Sequence, residues 1–396
     1  MTERGEQELT RAFTDAVAEA EELIANAPHV RTEQDLVEGY EYLAGNVRAA
    51  VQLAWAHDRE FPRFAVPTGP FTKMGLDNPD TLYYSATLRD DAEYVVTGRR
   101  GSTTDLSFQV MGGNYTPEGV PASLAAFDDR EIEIARDGTF ELRFGPPGKG
   151  SGPNYVPLGE GASMLAVREV YSDWDTERCG TIRIHREDTA GTAPPARTRQ
   201  GAARRYEFAG KMLLGRIQTF LKFPEWFYLD LPVNTMTEPR VTPGGLTSQY
   251  SAVGHYELED DQAMIVDVPK SEAPYQGFQL GTMWYVSMDY TNEQTSLNSS
   301  QARVDPDGRM RFVISERDPG IANWLACTGH RRGYAQIRWQ RLSRELTAAD
   351  GPRVEVVPVD ELPKRLPHHD AARVSPDERR AAIARRQAAV ADRMVD

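Results

Sequence analysis

TLYYSATLRDDAEYVVTGRR, residues 81–100, carries apolar side chains at alternate positions on either side of Asp90-Asp91. A period of two belongs to β-strands, whose successive side chains point to opposite faces, and the acidic break reads as a turn, so the stretch predicts a hairpin. EIEIA and TFELRF, parted by Arg136-Asp137-Gly138, predict a second one. SMLAVREVY and GTIRIHRE continue the pattern, which gives a first β unit over 70–187.

EDTAGTAPPARTRQ is polar, rich in proline and without period, so 188–200 reads as a linker. Beyond it, Tyr206, Leu213, Ile217 and Phe220 recur at helical spacing, which predicts a helix over 202–222. SQYSAVGHYEL, AMIVDV, GFQLGTMWYVSMDY, RMRFVIS and YAQIRWQRL then return to strands, so 201–346 is a helix plus a second β unit. The expected fold class is mainly β with helical additions: two successive antiparallel, jelly-roll-like β-sandwich units, N-terminal helices and a C-terminal helix.

Residues 1–69 form the N-terminal helical segment, with one helix near 9–26 and another opening at Thr32, where Asp35 three residues on makes a variant capping box. In the second helix Leu36, Tyr40, Leu43, Val47, Val51 and Trp55 fall on one face, expected to be buried. Residues 347–396 form a C-terminal extension. There Ser375-Pro376-Asp377-Glu378 opens a helix made basic by Arg379, Arg380, Arg385, Arg386 and Arg393, either solvated or docked on an acidic surface.

At 396 residues the chain is long enough for two cores. Its formal charge of -14 opposes binding to a phosphate backbone, which excludes nucleic acid as a partner. No apolar run approaches the roughly 20 residues that span a bilayer, and MTERGEQELTRAF lacks the apolar core of a signal peptide, so a soluble, cytoplasmic protein without membrane partners is expected. Cys179 and Cys327, far apart in the chain, read as buried thiols; His330, three residues after Cys327, makes a nucleophile pair the competing reading.

Two clusters carry chemistry. Asp77-Asn78-Pro79-Asp80, followed by Tyr83, sets two carboxylates and an amide before a strand. Asp77 or Asp80 would act as general acid or base, while Asn78 and Tyr83 bind substrate hydroxyls; the same residues are also ordinary turn formers. Asn323, Trp324, His330 and Arg338 combine an amide, an aromatic face, a group that titrates near neutrality and a fixed cation. Trp324, with Trp284 and Tyr285, would stack on a sugar or another planar ligand, or else fill the core. His255 and Glu257 share a strand face, which makes Glu257 a further catalytic candidate, whereas Tyr256 faces away. No histidine spacing matches a metal motif, GPPGKGSG lacks the Ser or Thr of a phosphate loop, and no G-x-S-x-G is present.

GLDNPDTLYYSATLRDDAEYVVTGRRG near the front and SLNSSQARVDPDGRMRFVISERDPGIANWLACTGHRRGYAQIRWQ near the back go beyond pattern. Through Asp318-Pro319-Gly320, Asn323-Trp324-Leu325, Gly329-His330 and Arg338-Trp339, the chain resembles a bacterial family named only as domain of unknown function 1214, often found with family 1254. The resemblance implies a pair of jelly-roll-like units with helices around them and an uncharacterised activity. Arg332 stands where the resemblance would lead one to expect an acid.

Acids beside aromatics, without nucleotide or nucleophile motifs, make the first functional expectation a cofactor-independent hydrolase or lyase acting on a glycoside or similar polyhydroxylated substrate through paired carboxylates. The second is a protein whose β units hold a small apolar ligand or build a homo-oligomer. A third is an enzyme acting on a terpenoid or steroid-like molecule.

Overall fold

The computed structural model describes residues 9–241, 246 and 249–393. Residues 1–8 and 394–396 of the expected terminal segments, and Ser248 of an expected strand, lie outside them.

Two helices come first, α1 (Arg11–Ala25) and α2 (Glu33–Ala56). The capping box forms as expected: Thr32 Oγ1 accepts from the Asp35 N–H, and the Asp35 carboxylate accepts from the Thr32 N–H. The buried face of α2 matches the expected one only in part: Leu43 is buried and Leu36 and Val47 are half-buried, but Val51 is exposed. Tyr40 and Trp55 are 42% and 37% exposed, whereas Gly39, Leu43, Ala49, Ala50 and Ala54 are buried. The reason is close approach, since a Cβ at Gly39 would run into the Trp284 ring; size, more than apolarity, selects what can sit there.

The first β unit contains β1 (Thr81–Thr87), β2 (Tyr94–Arg99), β3 (Asp105–Gly112), β4 (Ala122–Asp128), β5 (Thr139–Gly145), β6 (Tyr155–Pro157), β7 (Ala162–Val170) and β8 (Thr181–Arg186). They make two sheets, ordered β1-β7-β3-β4 and β6-β5-β2-β8, stacked over Phe108 and Val167 of one and Val96, Leu142 and Phe144 of the other. Neither expected hairpin forms. β1 pairs with β7 and β2 with β5 and β8, because the Asp90-Asp91 turn carries the chain from one sheet to the other, and EIEIA is not a strand. Alternation reports which side chains are buried, not which strand lies alongside.

After the linker comes α3 (Arg199–Phe227), longer at both ends than expected; the Thr198 hydroxyl caps it by accepting from the Gly201 N–H at 3.0 Å. Leu213 and Ile217 pack it against the other two helices and Trp284. Two short strands, β9 (Thr235–Met236) and β10 (Arg240–Val241), lead into β11 (Tyr250–Glu257), β12 (Gln262–Pro269), β13 (Tyr275–Gly281), β14 (Ser296–Asn298), β15 (Arg309–Ser315), β16 (Trp324–Ala326), β17 (Arg332–Gln340) and β18 (Arg353–Pro358). Since β18 pairs along β12, the second β unit runs past the boundary expected at 346; the prolines around RVEVVP hide its alternation.

The second sandwich repeats the first. Leaving aside β9 and β10, which extend one edge, its sheets are ordered β11-β17-β13-β14 and β16-β15-β12-β18, the same order strand for strand. Registers repeat as well. Val96 lies opposite Leu142 and Ile184, and Val266 opposite Phe312 and Val354, a constant step of 170 residues (96 to 266, 142 to 312, 184 to 354). The parallel pairs β5-β6 and β15-β16 recur too. Corresponding sheets meet: Arg341, just beyond β17, pairs with Asp129 at 2.6 Å and reaches Asp105 at 3.5 Å on the other sandwich. The outward faces there are polar yet buried, through Ser107 and Gln109 on one side and Ser251, Gln279, Gln336 and Arg338 on the other.

A short α4 (Leu362–Arg365) and α5 (Pro376–Arg393) end the described chain. Helix α5 docks: the Arg386 guanidinium is buried and donates to the carbonyls of Tyr290 and Ser296, each at 3.0 Å. Among the described residues no helix is long and apolar enough to cross a membrane.

Candidate functional site

The loop between α2 and β1 is pinned at Gly75 and Leu76, both at positive φ. Leu76 is fully buried, and its N–H donates to the Tyr285 carbonyl at 2.6 Å, so a strained backbone is held by the second sandwich. That anchor fixes the next four residues. Asp77 accepts from the Ser287 N–H at 3.0 Å with one oxygen and from the Ser287 hydroxyl at 2.8 Å with the other. The Asn78 amide donates to Tyr275 Oη at 2.8 Å, and the Asn78 N–H donates to Tyr83 Oη at 2.9 Å. Asp80 accepts from Trp174 Nε1 at 2.6 Å, Tyr275 Oη at 2.7 Å and Asn298 Nδ2 at 3.0 Å. Burial pushes the Asp80 pKa up, while the bond from Tyr275 and the Arg393 guanidinium draw it partly back.

Both carboxylates are therefore engaged by protein donors, and they do not face one opening together. Asp77 borders a cleft of about 70 Å³ between α2, the 66–84 stretch and α5; Asp80 lies behind it. Phe71, Leu82, Tyr83, Tyr84 and Tyr290 line the cleft together with Arg48 and Arg393. Beside it the Lys73 ammonium donates to the Ser287 and Met288 carbonyls at 2.7 and 3.0 Å. Burial lowers its pKa, against the pull of Asp77 and Asp289. Of the residues singled out in the sequence, Asp77, Asn78 and Tyr83 meet at this cleft. Phe71, Tyr290 and Arg393 were not singled out; the basic character of α5 was visible, but nothing local pointed it at the loop before β1.

The second cluster does not assemble. Asn323 bonds the Arg303 backbone with both ends of its amide, at 2.7 and 2.8 Å. Trp324 is buried with Nε1 on the Ser315 carbonyl at 3.0 Å, and Trp284 is buried with Nε1 on the Asp35 carbonyl at 2.7 Å. Glu257 is exposed at a strand end, and His255 bonds the Leu231 carbonyl at 2.9 Å. Tyr256 is buried in the second core. Arg338 donates to Gln279 and to the Leu76 carbonyl, holding the loop from the other side. Arg332 ties the start of α2, donating to the His29 carbonyl and to Asp35 at 2.9 and 3.1 Å.

His330 joins the second sandwich to α2. Nδ1 donates to the Cys327 carbonyl at 2.8 Å and Nε2 meets Glu38 Oε1 at 2.6 Å. Burial lowers the pKa, but the bond and charge of Glu38 more than reverse it, so the net shift is upward and the ring sits between two acceptors. With both nitrogens engaged, neither is left to move a substrate proton. Cys327 offers no nucleophile beside it, since burial pushes the thiol to about 12. A cavity of about 230 Å³ next to the pair is rimmed by Glu259, Asp260, Glu316 and Arg331. His330→Gln is expected to cost about 1–3 kcal/mol, read as a lower melting temperature, because Glu38 loses a buried hydrogen-bond donor. A variant that melts like the wild type would mean the pair carries no fold stability.

Among the described residues no three His, Cys, Asp or Glu side chains group so as to hold a metal ion. No family model matches the chain, and no curated protein matches it. Among solved structures the chain is similar to an uncharacterized protein from Burkholderia cenocepacia, at 26% identity over 89% of this chain and 98% of that one, with a TM-score of 0.80. The VPA0106 protein from Vibrio parahaemolyticus aligns over 85% of this chain and all of its own, at 13% identity and a TM-score of 0.45.

Proposed function

We propose that the protein binds a small, partly apolar ligand in the cleft bordered by Asp77, Tyr83 and Tyr290. One observation carries the reading: Phe71 stands 60% exposed at the cleft's rim, with the Arg48 guanidinium 5.7 Å above its ring. A large ring held in water has no packing role to explain it, whereas rings around a concave site with few polar groups are the lining of ligand pockets. At about 70 Å³ the cleft is smaller than the ~150 Å³ cavity that holds benzene elsewhere, so it would take one end of a ligand and leave the rest in the open mouth. Hydrolysis through Asp77 and Asp80 has less support, because each carboxylate already accepts from protein donors.

Phe71→Ser separates a rim role from a structural one. The variant is expected to melt within about 0.5 kcal/mol of the wild type, as surface substitutions do. In a calorimetric screen of small aromatic and alkyl compounds it should lose binders that the wild type holds. A wild type that binds nothing in the screen, or a variant that binds everything equally well, would sink the reading.

A further inference from the structure

Arg168 sits on β7 with Tyr83 directly opposite on β1 and Ser107 directly opposite on β3, so the three form a row across the outward face of the first sandwich. Tyr83 lines the cleft, which puts Arg168 one strand in from its wall. Nη1 donates to Gln109 Oε1 at 2.9 Å, and among the described residues this is its one hydrogen bond; no carboxylate pairs with it there. The repeat supplies a comparison. Arg338 occupies the same place in the second sandwich, bonds Gln279 where Arg168 bonds Gln109, and is then closed by the Leu76 carbonyl. Among the described residues Arg168 has no such closure.

A guanidinium enclosed by protein without a counter-charge is costly, and burial does push its pKa down. The residue as a whole is nevertheless only half-buried, so part of it can be reached from outside. A second orphan faces the same row: Ser107, at 0% exposure, has no partner for its hydroxyl. Tyr83, directly across from it, and Tyr115 both lie in the field of Arg168. Asp105, an acid whose charge acts on it, is turned to Arg341 at 3.5 Å.

We propose that Arg168 anchors the carboxylate of a flat, partly apolar acid, with the unused Nε and Nη2 edge taking the two oxygens, Ser107 Oγ donating to one of them, and Tyr83 and Tyr115 flanking the body. That edge matches a carboxylate's two coplanar oxygens, which a point charge or a neutral amide would not reward equally. The proposal rests on the cleft reading and names the class of ligand for it.

Calorimetry with benzoate and with its neutral counterpart benzamide tests both, using the wild type, Arg168→Gln and Ser107→Ala. The wild type is expected to bind benzoate at least tenfold more tightly than benzamide. Arg168→Gln should erase that preference while melting at or above the wild-type temperature without ligand, because an unpaired buried charge is removed. Ser107→Ala, which keeps the arginine and guards against a misfolded first variant, should weaken benzoate several-fold and leave benzamide unchanged. Equal binding of the two compounds by the wild type, or an Arg168→Gln protein that keeps the preference, would overturn the carboxylate assignment and leave the cleft reading standing. Binding of neither compound would overturn both.

Discussion

Asp80→Ala is expected to destabilise the fold by about 3–5 kcal/mol, the cost of removing one member of a buried, charge-bearing network. Three donors lose their acceptor at once: the Trp174 indole, the Tyr275 hydroxyl and the Asn298 amide. Behind them stand two cations that α5 inserts, Arg393 with its guanidinium 4.0 Å from the Trp174 ring and Arg386 at 4.8 Å. Loop, both sandwiches and terminal helix therefore meet on one carboxylate. Asp80→Asn, which keeps one acceptor oxygen, should cost less than the alanine. Urea midpoints of the two variants give the comparison, and an alanine variant with the wild-type midpoint would show that the terminal helix is held by other contacts.

Acid should weaken the fold through histidines held neutral. Burial lowers His57 to about 4, with Nε2 3.1 Å from the Ser85 hydroxyl, and lowers His29 to about 4 beside the edge of Trp284. Both values lie below the ordinary 6.5, so as pH falls from about 6.5 to 4 the unfolded chain takes up protons that the folded one refuses, and stability is lost across that window. His330 acts in the opposite sense: its raised value gives stability that is complete below about 6.5 and fades as pH rises through the folded value. Asp105, pushed to about 7 by burial, also favours the folded state as pH falls. A wild-type titration mixes these, so the difference between wild type and His57→Gln is the measurement. Between pH 7 and pH 4 the wild type should lose on the order of 2–3 kcal/mol relative to the variant, since each tenfold loss of proton affinity on folding is worth about 1.4 kcal/mol and partial exposure trims the total. Parallel pH profiles would mean that His57 is not kept neutral by the fold.

Local rules worked in this sequence wherever the cause was local. The capping box at Thr32 and the opening of α5 at Ser375 each depend on neighbours in the chain, and both stand where their residues put them. Pairing was different. The Asp90-Asp91 break looks the same whether the next strand returns beside the last or crosses to the facing sheet, and only the packed sandwich decides. The repeat is faint in the sequence because so few identities carry it: Leu88-Arg89-Asp90-Asp91 against Leu258-Glu259-Asp260-Asp261, Phe108-Gln109 against Phe278-Gln279, Arg168 against Arg338. Only with the two β stretches laid side by side do these matches fall into line. At the candidate site, Asp77, Asn78 and Tyr83 were legible as turn and strand residues with chemistry to spare. The partners Ser287 of Asp77 and Tyr275 of Asn78, like Asn298 that bonds Asp80, lie some two hundred positions away, and His330 misled because a titrating group between glycines looks the same whether its nitrogens are free or taken.

The two sandwiches meet through the same face of the same unit, which is how a pair of identical subunits joins about a two-fold axis. Such a pair must use one sequence on both sides of its contact, so whatever closes the arginine on one side closes it on the other. Tandem copies in a single chain are released from that identity. Here the second copy's arginine serves as a rivet for the loop and the first copy's stays open, a division of labour that a symmetric dimer of one unit cannot reach by any substitution.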